Sequence, residues 1–133
     1  MCIRDRFHGY LRNTEDVDIV WIRCPESERQ LLAALQEANA FWISNERDAQ
    51  TGMEKLIPIS AAYIQSNHLM MLVTDYGFVD IFDYIPGFPE ADVTEVQRQS
   101  IDSGPLRYVS LDWLKKMKQA ADRPKDRLDL EKL

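Results

Sequence analysis

The sequence predicts an α+β fold in which a small mixed β-sheet is flanked by helices. Two observations predict it. Runs of β-branched and aromatic residues are typical of strands, and the stretches between them have apolar residues at helical spacing. The chain has 133 residues, 45% of them hydrophobic and 29% charged. This length and balance indicate one ordinary globular domain.

The first half opens with a strand, because residues 17–22 form a β-branched and aromatic run. Pro25 and Ser27 then begin a helix with leucines at helical spacing. Cys24, beside this helix, is expected to be a small buried side chain. In order, we predict a strand over 17–22, a helix over 25–39, a short strand over 41–44 and a polar loop over 45–55. The segment 56–62 is ambiguous.

The second half contains a predicted β-hairpin, in which two apolar runs flank Asp-Tyr-Gly at 75–77. Ser110 is a suitable N-cap for the helix that follows it, and Pro124 suits the first turn of a last helix. In order, we predict strands over 68–74 and 78–84, a helix over 92–99, an extended piece over 107–109 and helices over 111–120 and 124–133.

Charge and hydropathy exclude several classes of protein. The net charge of -6 argues against a broad basic surface for nucleic acid, although a small cationic pocket is compatible with it. No apolar run approaches the roughly 20 residues that span a bilayer, and the first ten residues lack the apolar core of a signal peptide. Cys2 and Cys24 have no metal-ligand spacing. We therefore expect a protein of the reducing cytoplasm without membrane contacts.

A pair of carboxylates, Asp16 and Asp18, stands at the start of the first strand. Residues two apart on a strand point to the same face, here about 6–7 Å apart at the backbone. Such a pair can converge on a hard divalent cation such as Mg²⁺. Asp-x-Asp pairs also cap strands or lie on solvated sheet edges, so the pair alone does not establish a metal site.

Asp80 is the candidate third carboxylate, because it is a charged residue within an apolar strand. A charge in that position needs a partner or a metal, and two-metal phosphoryl chemistry needs a carboxylate from a second strand. Asp83 is the rival, and by alternation it lies on the opposite face of the strand. We favour Asp80.

Three segments resemble small prokaryotic nucleotidyltransferase-fold proteins, which include abortive-infection and toxin–antitoxin nucleotidyltransferases. Residues 8–19 are similar to that family's segment His-Gly-Tyr-x-Arg-x-Thr-x-Asp-x-Asp-hydrophobic. Residues 79–87 are similar to its third-carboxylate strand, and residues 111–133 resemble its C-terminal helical signature. The resemblance covers nearly the whole chain from Phe7, and three segments in the right order are more specific than any one of them.

The resemblance implies a nucleotidyltransferase-like fold that binds two Mg²⁺ ions and a nucleoside triphosphate. Asp16 and Asp18 would hold the metals that bridge the phosphates. Asp80 would ligate the catalytic metal and help to activate an acceptor hydroxyl. The acceptor would be transfer RNA or a protein, and the partner would be an antitoxin or another cognate protein.

The resemblance also implies nucleotide contacts outside the carboxylates, by Arg12, Thr14, Lys118 and Asp126. Each residue has a simpler interpretation. Thr14 can cap the entry to the strand, whereas Arg12 and Lys118 can be solvated. For Arg123 and Lys125 we prefer a structural role in an ion-pair cluster that docks the last helix and can include Asp126.

One departure from the family concerns its phosphate-binding Gly-Gly or Gly-Ser turn, expected about one helix upstream of Asp16. It is not found here, since Gly9 is too close to Asp16. Residues 1–6 resemble a translated sequencing-adaptor scar, although an ordinary polar start is the alternative. We therefore expect a single domain over 7–133 that lacks this turn and binds nucleotide weakly.

Three functions remain open at this point. The first is a nucleotidyltransferase enzyme, such as the toxin of a toxin–antitoxin pair. The second is a catalytically inactive nucleotidyltransferase-fold module that acts as an antitoxin or regulator, which the absent turn favours if residues 1–6 are native. The third is an unrelated α+β protein with an acidic surface pair.

Overall fold

The structure is a computed structural model that describes residues 2–3 and 16–132, with the backbone alone at 2, 3 and 16. The strands are β1 (Cys2–Ile3), β2 (Asp16–Val20), β3 (Phe41–Arg47), β4 (Glu54–Pro58), β5 (Leu69–Thr74), β6 (Gly77–Phe82), β7 (Ile101–Ser103) and β8 (Leu106–Tyr108). The helices are α1 (Pro25–Glu37), α2 (Ala61–Ser66), α3 (Val93–Arg98), α4 (Leu111–Ala121) and α5 (Pro124–Lys132). The predicted α+β class is confirmed.

The strands follow the order β4-β3-β5-β6-β2-β1-β8-β7. The first five form the main sheet, and the two-residue strand β1 joins it to the β7–β8 hairpin. Within the main sheet, β4, β3, β5 and β6 pair antiparallel, whereas β6 and β2 pair parallel. This parallel pair brings together two segments that are far apart in the sequence, and it carries the candidate carboxylates.

Side-chain alternation divides the apolar residues of the main sheet between two cores. Ile19 and Ile81 pack into a first core, which α1 and α2 cover. Val20 and Phe82, one position later on the same strands, pack into a second core with residues of α3 and α4. Burial of each large apolar side chain contributes about 1.5–3 kcal/mol. The two cores therefore fix which face of β2 and β6 each residue occupies.

The predicted hairpin is confirmed, since β5 and β6 pair along their whole length up to Thr74 opposite Gly77. The turn places Gly77 at φ +116°, in the left-handed region that favours glycine. The predicted N-cap of α4 is confirmed as well, because the Ser110 hydroxyl accepts a hydrogen bond from the backbone N–H of Trp113 at 3.3 Å.

The predicted loop over 45–55 is wrong at both ends, because β3 continues to Arg47 and β4 begins at Glu54. Between them, the Asp48 carboxylate accepts hydrogen bonds from two backbone N–H groups of the turn, at 2.7 and 3.1 Å. This end of the hairpin is exposed. Its residues therefore have no apolar alternation to mark them as strands.

Two further features differ from expectation. The ambiguous segment 56–62 contains the end of β4 and the start of α2, and strand β7 was not predicted. Cys24 is exposed rather than buried. It is the N-cap of α1, where its thiol accepts a hydrogen bond from the backbone N–H of Ser27 at 3.4 Å. The thiol therefore takes the place that a hydroxyl or carboxylate usually holds at a helix start.

Candidate functional site

Asp18 and Asp80 are direct neighbours on the two parallel strands, because the register pairs Asp18 with Asp80. Val20 and Phe82, two residues later on each strand, belong to the second core. Residues two apart share a face, so both carboxylates lie on that face of the sheet. Adjacent strands are about 4.8 Å apart. Both residues are half-buried, so both carboxylates lie partly out of water.

Asp16 was predicted to join this pair, and its backbone position pairs with Phe78 in the same register. That position is on the same face as Asp18, but the side chain of Asp16 lies outside what the structure describes. Among the described side chains, no group of three or more His, Cys, Asp or Glu residues is arranged to hold a metal ion. The three-carboxylate site therefore stays a prediction.

The donor set of the pair suits magnesium rather than a softer metal. Carboxylate oxygens are hard ligands, and Mg²⁺ is commonly held by one or two of them together with water and substrate phosphates. Asp18 and Asp80 thus fit the metal that the family resemblance implies.

Asp83, the rival to Asp80, is engaged in a different set of contacts. Its carboxylate accepts a hydrogen bond from Arg23 Nε at 2.8 Å and lies 2.7 Å from His68 Nδ1. Arg23 also donates to Glu28 of α1, to the backbone carbonyl of Ile64 in α2 and to that of Asn67 in the α2–β5 link. Burial lowers the pKa of Arg23, but its bonds to Asp83 and Glu28 outweigh this and leave the pKa raised. This set of contacts ties the β2–α1 link to α1, to α2 and the link after it, and to the end of β6.

Lys118 lies on the buried side of α4, four residues after Leu114 of the second core. Its ammonium donates a hydrogen bond to Asp129 Oδ2 at 2.8 Å, and Asp126 Oδ1 is 3.9 Å away. The exposed fractions of Lys118, Asp126 and Asp129 are 8%, 1% and 2%. A charged group buried this deeply persists only when paired, so these contacts hold α5 against α4.

Arg123 completes the charged cluster at the turn between α4 and α5. Its backbone N–H, Nε and Nη2 donate to the Asp126 carboxylate at 3.2, 2.6 and 3.3 Å. Burial raises the pKa of Asp126, but the bond from Arg123 outweighs this and leaves the pKa lowered. The pKa of Arg123 is raised, first by Asp126, with weaker contributions from Asp18 and Asp129. Asp18 is therefore close enough to the Arg123 guanidinium to act on it.

The predicted site residues thus fall into three groups. Asp18 and Asp80 meet on one face of the sheet, and Lys118 and Asp126 meet in the charged cluster near Asp18. Arg12 and Thr14 lie outside the described residues, so their predicted contacts stay predictions. The nucleotide contacts of Lys118 and Asp126 stay predictions too, and the structure adds that both are buried.

The sequence alone did not identify Asp129 as an acceptor of Lys118, nor Arg123 as an exposed group near Asp18. A signal for the first was present, since Asp126 and Asp129 are three residues apart on α5 and therefore share a helix face. Arg123 gave no such signal, because its proximity to Asp18 depends on how α4 crosses the sheet.

No protein-family model matches the chain, and no curated protein matches its sequence. Of the helices in the described part of the chain, none combines the length and the apolar character that are needed to cross a membrane.

Proposed function

We propose that this chain is a nucleotidyltransferase-fold protein that transfers a nucleotidyl group from a nucleoside triphosphate to a hydroxyl of RNA or protein. The observation that carries the proposal is the register of Asp18 opposite Asp80 on parallel strands. Two carboxylates from segments far apart in sequence meet on one face, at positions that the family resemblance assigns to metal ligands. The cationic Arg123 lies nearby, as an anionic substrate requires.

In this proposal Asp18 and Asp80, with Asp16, hold two Mg²⁺ ions. When bound, the ions would supply charge stabilisation for the attacking and leaving oxygens of an in-line displacement. The protein's own residues position the reactants, and Asp80 orients the acceptor hydroxyl. Holding the reactants in place is a large part of catalysis for phosphoryl chemistry. A cytoplasmic location, a toxin role and a cognate antitoxin belong to the same proposal.

The test is transfer of label from α-³²P nucleoside triphosphates to transfer RNA or protein by this chain. We expect Asp18→Asn and Asp80→Asn each to reduce the rate by at least about 100-fold, because each removes a metal ligand. Asp75→Asn is the matched control, since Asp75 lies in the β5–β6 turn and is exposed. Transfer that survives in both site variants would refute the assignment.

A second candidate is an inactive module that binds nucleotide or a partner without transfer. The absence of the Gly-rich turn favours it if residues 1–6 are native, because the backbone N–H groups of such a turn cradle the triphosphate. If the protein binds Mg²⁺ and nucleotide through Asp18 but transfers no label to any acceptor, the module is the better description.

A further inference from the structure

We propose that Arg123 is a phosphate-binding residue of this site, positioned by Asp126 so that its free N–H groups meet the triphosphate beside Asp18. This inference rests on the proposed function and names a residue for which sequence reasoning preferred a structural role.

The first observation is that the guanidinium of Arg123 has donors to spare. Arginine has five N–H donors, and the structure shows bonds only from Nε and Nη2, both to Asp126. No residue in the described part of the chain accepts a hydrogen bond from Nη1. The side chain is 59% exposed, whereas that of Asp126 is 1% exposed. One edge of the guanidinium is therefore held by the protein interior, and the other remains available to a ligand.

The second observation is the position of this exposed edge. Met117, on the last turns of α4, belongs to the same core cluster as Val20, and Val20 is two residues from Asp18 on the same face. After α4, Asp122 has the left-handed φ of +48° and reverses the chain direction, so that Arg123 follows at the turn. The Asp18 carboxylate contributes to the raised pKa of Arg123, which supports the same placement.

The third observation is a contrast with Arg127, four residues further along. Arg127 makes a similar bidentate pair, with Asp122 at 2.7 and 3.0 Å, but both partners are exposed. Its raised pKa results from Asp122, without a contribution from Asp18. A surface pair of this kind adds little and leaves the arginine mobile. The buried carboxylate of Asp126 instead holds the planar Arg123 guanidinium in one orientation before a ligand binds, which lowers the entropy cost of binding a phosphate.

Asp18 and Asp80 would hold a Mg²⁺ ion that supplies positive charge to the polyphosphate, and the Arg123 guanidinium would supply positive charge from the protein. Arginine suits this role because its planar fork matches two phosphate oxygens at once. We therefore expect the ligand of Arg123 to be the polyphosphate portion of the substrate rather than the base or the acceptor.

The test follows the assigned side-chain Nε–Hε resonances of arginine by NMR while inorganic triphosphate is titrated into the full chain, with and without Mg²⁺. We expect the Arg123 resonance to shift only when Mg²⁺ is present, while that of Arg127 stays in place. Arg123→Gln should raise the Kd for Mg²⁺–triphosphate by about tenfold or more, the usual effect of losing a charged hydrogen bond. Arg127→Gln is the matched control and should leave it unchanged.

Arg123→Lys keeps the charge but loses the planar guanidinium, so it should give an intermediate Kd. This variant replaces Arg123→Gln in the test if Arg123→Gln does not fold. Equal Kd values for the Arg123 and Arg127 variants, with binding still lost in Asp18→Asn, would overturn the role of Arg123 and leave the proposed function standing. Absence of Mg²⁺-dependent binding in the unaltered chain would overturn both.

Discussion

Replacing Asp129 with asparagine tests whether the buried charged cluster holds the last helix in place. The substitution keeps the shape of the side chain but removes the charge 2.8 Å from the Lys118 ammonium. Breaking a buried ion pair from one side costs about 3–5 kcal/mol. We expect the lower end, about 3 kcal/mol, because Asp126 remains 3.9 Å from the same ammonium.

The assay is urea unfolding followed by far-ultraviolet circular dichroism, with a thermal melt as a second measure. A loss of about 3 kcal/mol corresponds to a fall in Tm of about 12 °C for a domain of this size. Asp122→Asn is the control, since its partner Arg127 is also exposed, and it should leave the melting curve essentially unchanged.

A double-mutant cycle with Lys118→Met separates pairing from packing. Once the ammonium is absent, Asp129→Asn no longer removes the partner of a buried cation. We therefore expect the double variant to be more stable than the sum of the single losses predicts, by about 2 kcal/mol. A loss below about 1 kcal/mol for Asp129→Asn, or strict additivity in the cycle, would refute the view that this cluster is a buried, paired network.

Three further predictions concern local stability and pH, each measured by chemical unfolding. Gly87→Ala should destabilise by about 2 kcal/mol or more, because the residue has φ +84° and the added methyl would lie 2.8 Å from a Cβ atom of α4. Gly104→Ala, at φ +60° in open space, should cost only about 1 kcal/mol of backbone strain, and equal losses at both glycines would contradict this reasoning. Ser110→Ala should cost about 1 kcal/mol through loss of the N-cap of α4, whereas Ser110→Asp should retain most of the stability. The pKa of Asp126 is lowered because the hydrogen bond from Arg123 outweighs burial. The ionised Asp126 therefore stabilises the fold above its ordinary pKa of 3.8, and this stabilisation is lost as pH falls below that value. Asp126→Asn should reduce the loss of stability below pH 4, and an unchanged loss of stability at low pH would contradict this prediction.

The elements that could be predicted from the sequence are those whose burial follows a simple period. Helix α1 has leucines at helical spacing, and the β5–β6 hairpin has apolar runs around a glycine turn, so both were predicted nearly to their ends. The end of β3, the start of β4 and the whole of β7 are exposed. Without a buried face, these strands lack the alternation of apolar and polar residues from which a strand is predicted.

The candidate site was predictable only in part, because it combines a local pattern with a distant pairing. The alternation that puts Asp80 and Asp83 on opposite faces is local, so the sequence alone shows that only one of them can line the site. Asp18 and Asp80 are 62 residues apart in the chain, and their pairing depends on the topology, for which only the family resemblance gave a guide. The proximity of Arg123 to Asp18 depends on packing between helix and sheet, which no local pattern contains.

The most direct test of the account is a calorimetric titration of Mg²⁺ and a nucleoside triphosphate, at millimolar ligand, into this chain and into an Asp16→Asn/Asp18→Asn variant. We expect heat of binding that requires both ligands and that is lost in the variant. Equal heats in the two proteins, or no Mg²⁺-dependent heat in either, would contradict the claim that these carboxylates form a metal–nucleotide site.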